Sequence, residues 1–217
     1  MIAKGAPPAF TDKKQMQEHL DDGIAILEYL KRRRTKYFPT LDTELIAIEM
    51  PIYRRASAHN EFVYMNGFLD LTFRNTKTNK YFIKDIKTST AGWNKHQKKD
   101  KGKISQLIIY KKYLAEQIGI DISDIDVGYF IVKRKVPEQS MYPISRVTQV
   151  EPASGKVTVK RVSEEIDEFV KDCFNPNGTY NTTKQYEART GKANKNCLYC
   201  IFKHQDDLCP KKNRIRG

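Results

Sequence analysis

The stretch Gly67-Phe-Leu-Asp-Leu-Thr-Phe-Arg-Asn-Thr-Lys-Thr-Asn-Lys-Tyr-Phe-Ile-Lys-Asp-Ile-Lys87 decides how this chain folds. Two strand-like segments, Phe62 to Arg74 and Lys80 to Lys87, flank a turn rich in Asn and Thr, which is the signal of a β-hairpin. Side chains two apart on a strand share a face. Asp85 and Lys87 therefore point to one side and Ile86 to the other. Asp70 shares its side with Phe68 and Thr72, and Leu69, Leu71 and Phe73 make an opposite, apolar face. If Thr76 to Asn79 is a four-residue loop, a common hairpin length, Asn75 pairs with Lys80. Stepping back along both strands then sets Asp70 across from Asp85, and Phe68 across from Lys87.

Directly opposed residues hold their Cβ atoms roughly 4.5–5.5 Å apart. Two carboxylates at that distance repel, and a divalent cation between them reverses the sign. Hard oxygen ligands select Mg²⁺, Mn²⁺ or Ca²⁺ over softer metals. Lys87 lies on the same face, in reach of a phosphate or a water. Two acids and a lysine around a metal suit phosphodiester hydrolysis, in which the metal activates water and the lysine offsets charge on the phosphoryl oxygens. Asp-x-Lys alone carries little, because a solvated hairpin of alternating charge shows it too. The weight lies in acids interrupting two apolar strands at matching positions.

Outward from the hairpin, the period changes. Residues 11–34 predict a helix capped by Thr11, with an apolar stripe of Met16, Leu20, Ile24, Leu27 and Leu30 facing a core. Leu45 to Glu49 reads as a strand stopped by Pro51, and Ile52 to Arg55 as its continuation after a bend. Trp93 to Lys103 reads as a basic connection, Ile104 to Ile118 as an amphipathic helix ending near Gly119, and Val127 to Lys133 as a strand. A weaker strand pair is expected at Ser145–Gln149 and Lys156–Arg161, then a helix capped by Ser163 through Val170. This order predicts a mixed α/β (α+β) domain on a central sheet, over residues 1–172. Residues 173–217 form a cysteine-containing C-terminal element.

At the hairpin the chain resembles the PD-(D/E)XK nuclease superfamily, in its RecB-like exonuclease branch. The motifs are Gly67-Phe-Leu-Asp70, then Asp85-Ile-Lys87-Thr-Ser, then Gln106-Leu-Ile-Ile-Tyr110, in that order. The resemblance covers roughly residues 15–135. It implies a restriction-endonuclease-like mixed sheet flanked by helices, and a Mg²⁺- or Mn²⁺-dependent nuclease acting on DNA in recombination, repair or replication, frequent in bacteriophages. It implies Asp70 and Asp85 as metal ligands, the Ile86 carbonyl as another, Lys87 as the catalytic lysine, and Gln106 and Tyr110 lining the site. His19, Glu18 and Glu49 compete for a further ligand position. Exonuclease action on DNA ends or single strands is the leading expectation. A structure-specific or restriction-type endonuclease, or a non-catalytic nucleic-acid binder on the same fold, are the alternatives. A recombination or replication protein is the expected class of partner, and oligomeric state is left open.

Composition fits this reading. The 217 residues are 39% hydrophobic and 30% charged, with a formal charge of +13, which attracts polyanions, nucleic acid first. No stretch approaches the ~20 apolar residues of a membrane span, and the first residues lack the apolar core of a secretory signal. The expected compartment is the cytoplasm, the host's if the chain is phage-encoded. Next to the catalytic strand, Thr88 and Ser89 are placed to donate to phosphate. Trp93, Lys95, His96, Lys98, Lys99, Lys101 and Lys103 are placed to bind DNA at the rim. The four cysteines all follow residue 172. Cys197-x2-Cys200-x3-His204-x4-Cys209 has zinc-knuckle ligand types. Some RecB-like nucleases instead hold a [4Fe-4S] cluster on four cysteines, and Cys173 would supply the fourth here. A structural Zn²⁺, an iron–sulfur cluster, or a cap without metal all stay open.

Overall fold

The hairpin folds in the expected register. In the computed structural model, Leu71 pairs with Lys84, Thr72 with Ile83, Phe73 with Phe82 and Arg74 with Tyr81, antiparallel. The Asn75 N–H donates to Lys80 O at 2.7 Å across the loop mouth, and the Asn75 side chain accepts from the N–H groups of Lys77 and Thr78. The structure describes residues 12–38, 41–137, 144–184, 200–202 and 205–209. The chain divides into two compact units, residues 1–171 and 172–217.

The first unit is mixed α+β, with a five-stranded mixed sheet flanked by helices. Its elements are α1 (Lys13–Arg32), α2 (Arg34–Tyr37), β1 (Thr43–Ser57), β2 (Asn60–Asn75), β3 (Tyr81–Ser89), α3 (Lys95–Lys98), α4 (Lys101–Ile118), a 3₁₀ turn (Ile122–Asp124), β4 (Ile125–Lys133), β5 (Val147–Val150) and α5 (Lys156–Cys173). The sheet order is β1-β2-β3-β4-β5. Every neighbouring pair is antiparallel except β3 and β4, which run parallel. A parallel pair needs a crossover, and α4 supplies it. Asp100 caps α4 by accepting the Lys103 N–H, and Gly119 ends it at φ 70° in the left-handed region that glycine adopts freely.

β1 is one strand across Pro51 rather than two. Pro51 O and Tyr53 N both point off the sheet's open edge, where the Gln117 side chain bonds to each. The missing proline N–H falls on that same open edge, so no ladder bond is lost. Arg54 donates to the last carbonyls of α4, Glu116 O and Gln117 O, and the buried Tyr113 hydroxyl donates to Ala56 O at 2.6 Å.

Three further expectations need correction. Lys156–Arg161 opens α5 instead of forming a strand, and Ser163 lies inside that helix. Its alternating valines mimic a strand, but the buried residues are Val162, Ile166 and Val170, one helical turn apart. The stretch Trp93 to Lys103 contains α3 and the first turn of α4. On α1, which Asp12 caps, the expected core stripe faces outward: Met16, Leu20, Ile24 and Leu27 are exposed. The inward residues are Ile26, Tyr29 and Leu30, which pack with Phe38 against Tyr37, Phe130, Val132 and Val147. On this same side Lys84 threads between the rings of Phe38, Phe73, Phe82 and Phe130, and its ammonium donates to Tyr37 O at 2.8 Å. Among the described residues no helix is long and apolar enough to cross a membrane.

In the second unit, Phe174 and Tyr180 bridge with rings 5.4 Å apart, closing a turn held by the Asn175 and Asn181 side chains.

Candidate active site

The ladder between β2 and β3 stops at Leu71 and Lys84. In the hairpin's alternation Ile86 would next donate its N–H to the β2 backbone. The Asp70 carboxylate takes that role, accepting the Ile86 N–H at 2.6 Å. A charge-assisted bond of this kind holds the two strands together while they diverge. One residue along, the Asp85 side chain is only 3% exposed, and Lys87 Nζ lies 2.6 Å from its Oδ2. That oxygen has no other partner among the described residues. Burial pushes the Asp85 carboxyl above its ordinary range, the nearby Asp70 charge adds to this, and Lys87 opposes both.

Tyr129, in the strand expected at Val127 to Lys133, completes the arrangement. It stands beside Asp85 in the parallel β3–β4 register. Lys87 Nζ sits 5.8 Å above its ring, and its hydroxyl donates to Lys103 O at 2.5 Å. Burial, with Asp85 the leading nearby charge, pushes that hydroxyl well above the usual tyrosine range, so it stays a donor. Gln106 Oε1 lies 3.4 Å from the Tyr129 hydroxyl, and Gln106 Nε2 donates to the Tyr110 hydroxyl at 3.0 Å. The Gln-x-x-x-Tyr helix face is therefore joined to the Asp85–Lys87 strand through Tyr129. Gly67 lies against this face: a Cβ there would make an ordinary contact with Tyr110 Cε1, at 3.8 Å. No local pattern marks Tyr129, because its role depends on a parallel neighbour that only the crossover provides.

The remaining candidates are placed as follows. Trp93 packs on Tyr129 with ring centroids 4.8 Å apart and lies under the Lys103 ammonium. Thr88 is exposed, while the Ser89 hydroxyl closes a turn by bonding to Gly92 N and O. Lys95, His96, Lys99 and Lys101 are exposed on α3 and the start of α4, and Lys98 is half-buried. Ile86 is on the opposite face, where it lines a cleft with Leu45, Leu71, Phe73, Phe38 and Arg34. Glu49 falls across from Asp70 in the β1–β2 register, but the ladder is interrupted there; its φ is 53° and its side chain is exposed. His19 Nδ1 lies 2.8 Å from Gln15 O and its Nε2 3.2 Å from Arg134. Glu18 and Asp22 pair with Arg134 and Lys135, and the Lys135 ammonium holds the Glu18 carboxyl below its ordinary range. This cluster is anchored beyond Lys87, where Arg134 N donates to Ser89 O. Among the described residues no three His, Cys, Asp or Glu side chains gather at one point. Cys173 ends α5, and Cys200 and Cys209 are half-buried. Cys197 and His204 lie outside the described residues, and so does the expected four-ligand set.

No family model and no curated protein matches the chain. Among solved structures, "Crystal structure of SSO0001" is similar at 18% identity, over 88% of this chain and 68% of that chain, with a TM-score of 0.34. A likeness at that level shows nothing of this chain's role.

Proposed function

We propose that the protein is a Mg²⁺- or Mn²⁺-dependent DNA nuclease, acting foremost as an exonuclease in recombination, repair or replication. The observation that carries this reading is Asp85: a buried carboxylate beside a second aspartate, neutralised only by a lysine two residues along its own strand. Burying a charge among like charge is costly without a function that needs it. The donor chemistry fits a hard divalent cation, with Asp70 and Asp85 to hold it and the otherwise unpartnered Asp85 Oδ2 as the leading donor. Such an ion, once bound, supplies charge neutralisation on the scissile phosphate and an activated water.

The chain's own residues do the rest. The Asp70 bond to Ile86 N fixes where the strands part, and so holds the acids at a set separation. Lys87 is half-exposed, so its ammonium can leave Asp85 and turn to a phosphoryl oxygen or to the attacking water. Tyr129 supports it from below and ties β4 to Gln106, which with Tyr110 walls the site. The charge of +13, and the lysines of α3 and early α4, favour a polyanionic substrate.

Incubation of linear and closed circular DNA with Mn²⁺ tests the reading. Loss of the linear form alone is the expected result. Nicking of circles would replace the exonuclease with an endonuclease. No cleavage by folded, Mn²⁺-loaded protein would leave only a nucleic-acid binder.

A further inference from the structure

We infer that the outer face of the β1–β2 arm is a stacking platform for single-stranded nucleic acid. This deepens the nuclease reading by naming the form of its substrate, and rests on that reading for its purpose.

β1 and β2 pair from Thr43/Asn75 to Ser57/Asn60, but β3 accompanies β2 only over Leu71–Arg74. The rest of the hairpin projects past the sheet as a two-stranded arm. The expected common face of Leu69, Leu71 and Phe73 breaks at Asp70, whose carboxylate turns to the Ile86 N–H: Leu71 and Phe73 line the Ile86 cleft, whereas from Leu69 outward the arm alternates about an α4-facing side. Ile52, Ala56, Val63 and Leu69 are buried on the α4 side, beneath Tyr113 and Tyr110. The other face carries Tyr53 and Arg55 from β1, with Phe62, Tyr64 and Phe68 from β2. These four rings are 62%, 58%, 46% and 53% exposed for Tyr53, Phe62, Tyr64 and Phe68. Isolated exposed apolar residues need no explanation, but a contiguous patch does.

The chemistry of the patch selects its occupant. Its exposed rings are aromatic and flat. Tyr53 and Tyr64 already lie parallel, 4.8 Å apart at 7°. Successive residues on one face of a strand are roughly 6.8 Å apart, twice the ~3.4 Å rise of stacked bases, so neighbouring rings can seat a base between them. Arg55 is exposed and pairs directly across from Tyr64, which sets a guanidinium beside the ring to meet phosphate. Rings for base faces and a cation for the backbone, on a protein of charge +13, are the elements of single-strand binding. A double helix hides its base faces and gains nothing from such rings.

The test uses the full chain in EDTA and fluorescence anisotropy with a labelled oligothymidylate and a duplex of equal length. Tyr53→Ala/Tyr64→Ala weakens single-strand binding at least about tenfold, leaves duplex binding within about twofold, and the Phe/Phe variant keeps wild-type affinity. Phe62→Ala, alone, gives a smaller loss in the same direction. Unchanged single-strand affinity in the double alanine variant overturns the platform. So does a wild-type dimer that the same variant turns to monomer in sedimentation, which would assign the face to a second copy. Mn²⁺-dependent cleavage separates the two readings. Cleavage with ring-independent binding removes the platform alone, whereas ring-dependent binding without any cleavage removes the nuclease alone.

Discussion

Replacing Lys87 with alanine strips the counter-charge from a carboxylate whose side chain is 3% exposed. Breaking a buried ion pair by removing one partner costs about 3–5 kcal/mol. The lysine side chain is 32% exposed, so water follows it out and screens the remaining charge. The discounted loss is ~1–3 kcal/mol at pH 8, or about 2–10 °C in Tm for a chain of this size. The pH dependence follows from the raised Asp85 carboxyl, which rises further once Lys87 no longer opposes burial. A folded state whose carboxyl titrates high binds a proton that the unfolded chain has released, so its relative stability falls as pH rises from the ordinary carboxylate range to the raised value. The variant's deficit is therefore larger at pH 8 than near pH 4, closer to where Asp85 takes up its proton. Thermal unfolding in EDTA at both pH values measures it. Mn²⁺ should then raise the variant's Tm more than the wild type's, because the cation replaces the lost charge. Cleavage should fall by about 10²–10³-fold while DNA affinity stays within about threefold. A deficit equal at both pH values, or none at pH 8, would refute the claim that Lys87 neutralises a buried Asp85.

Asp70→Asn keeps an oxygen for the Ile86 N–H but removes the charge, so the fold should survive, Mn²⁺ affinity measured by calorimetry should fall at least about tenfold, and the Asp85 carboxyl should titrate lower than in the wild type. Tyr113, whose hydroxyl is buried against Ala56 O, titrates at about 12. Absorbance at high pH should show a tyrosine class ionising near that value, with stability falling as pH rises through 10 and the unfolded chain releases its proton first; Tyr113→Phe should remove one residue from that class and cost about 1 kcal/mol in urea unfolding.

The hairpin was legible because its determinants are local. The loop length set the register, the period of two set the faces, and together they put Asp70 near Asp85 and Lys87 beside Asp85. The helix over Ile104–Ile118 and its glycine stop were legible for the same reason. Local pattern failed where two periods compete: the valines of Lys156–Arg161 alternate like a strand, yet Val162, Ile166 and Val170 bury as a helix. It failed again on α1, where Met16, Leu20, Ile24 and Leu27 of the apolar stripe point outward and only Leu30 joins Ile26 and Tyr29 against the core.

Only the tertiary structure could decide what depends on partners distant in the chain. The parallel crossover through α4 brings Tyr129 beside Asp85 and links Lys87 to Gln106 and Tyr110. The divergence of β2 from β3 turns Asp70 onto the Ile86 N–H and leaves the aromatic arm exposed. Glu18 and His19 are drawn to Arg134 and Lys135, more than a hundred residues away in sequence. Backbone geometry acts between neighbours and can be read from residue order. Burial, charge pairing and the loss of a strand's neighbour are properties of the assembled fold, and the residues of this site acquire them only there.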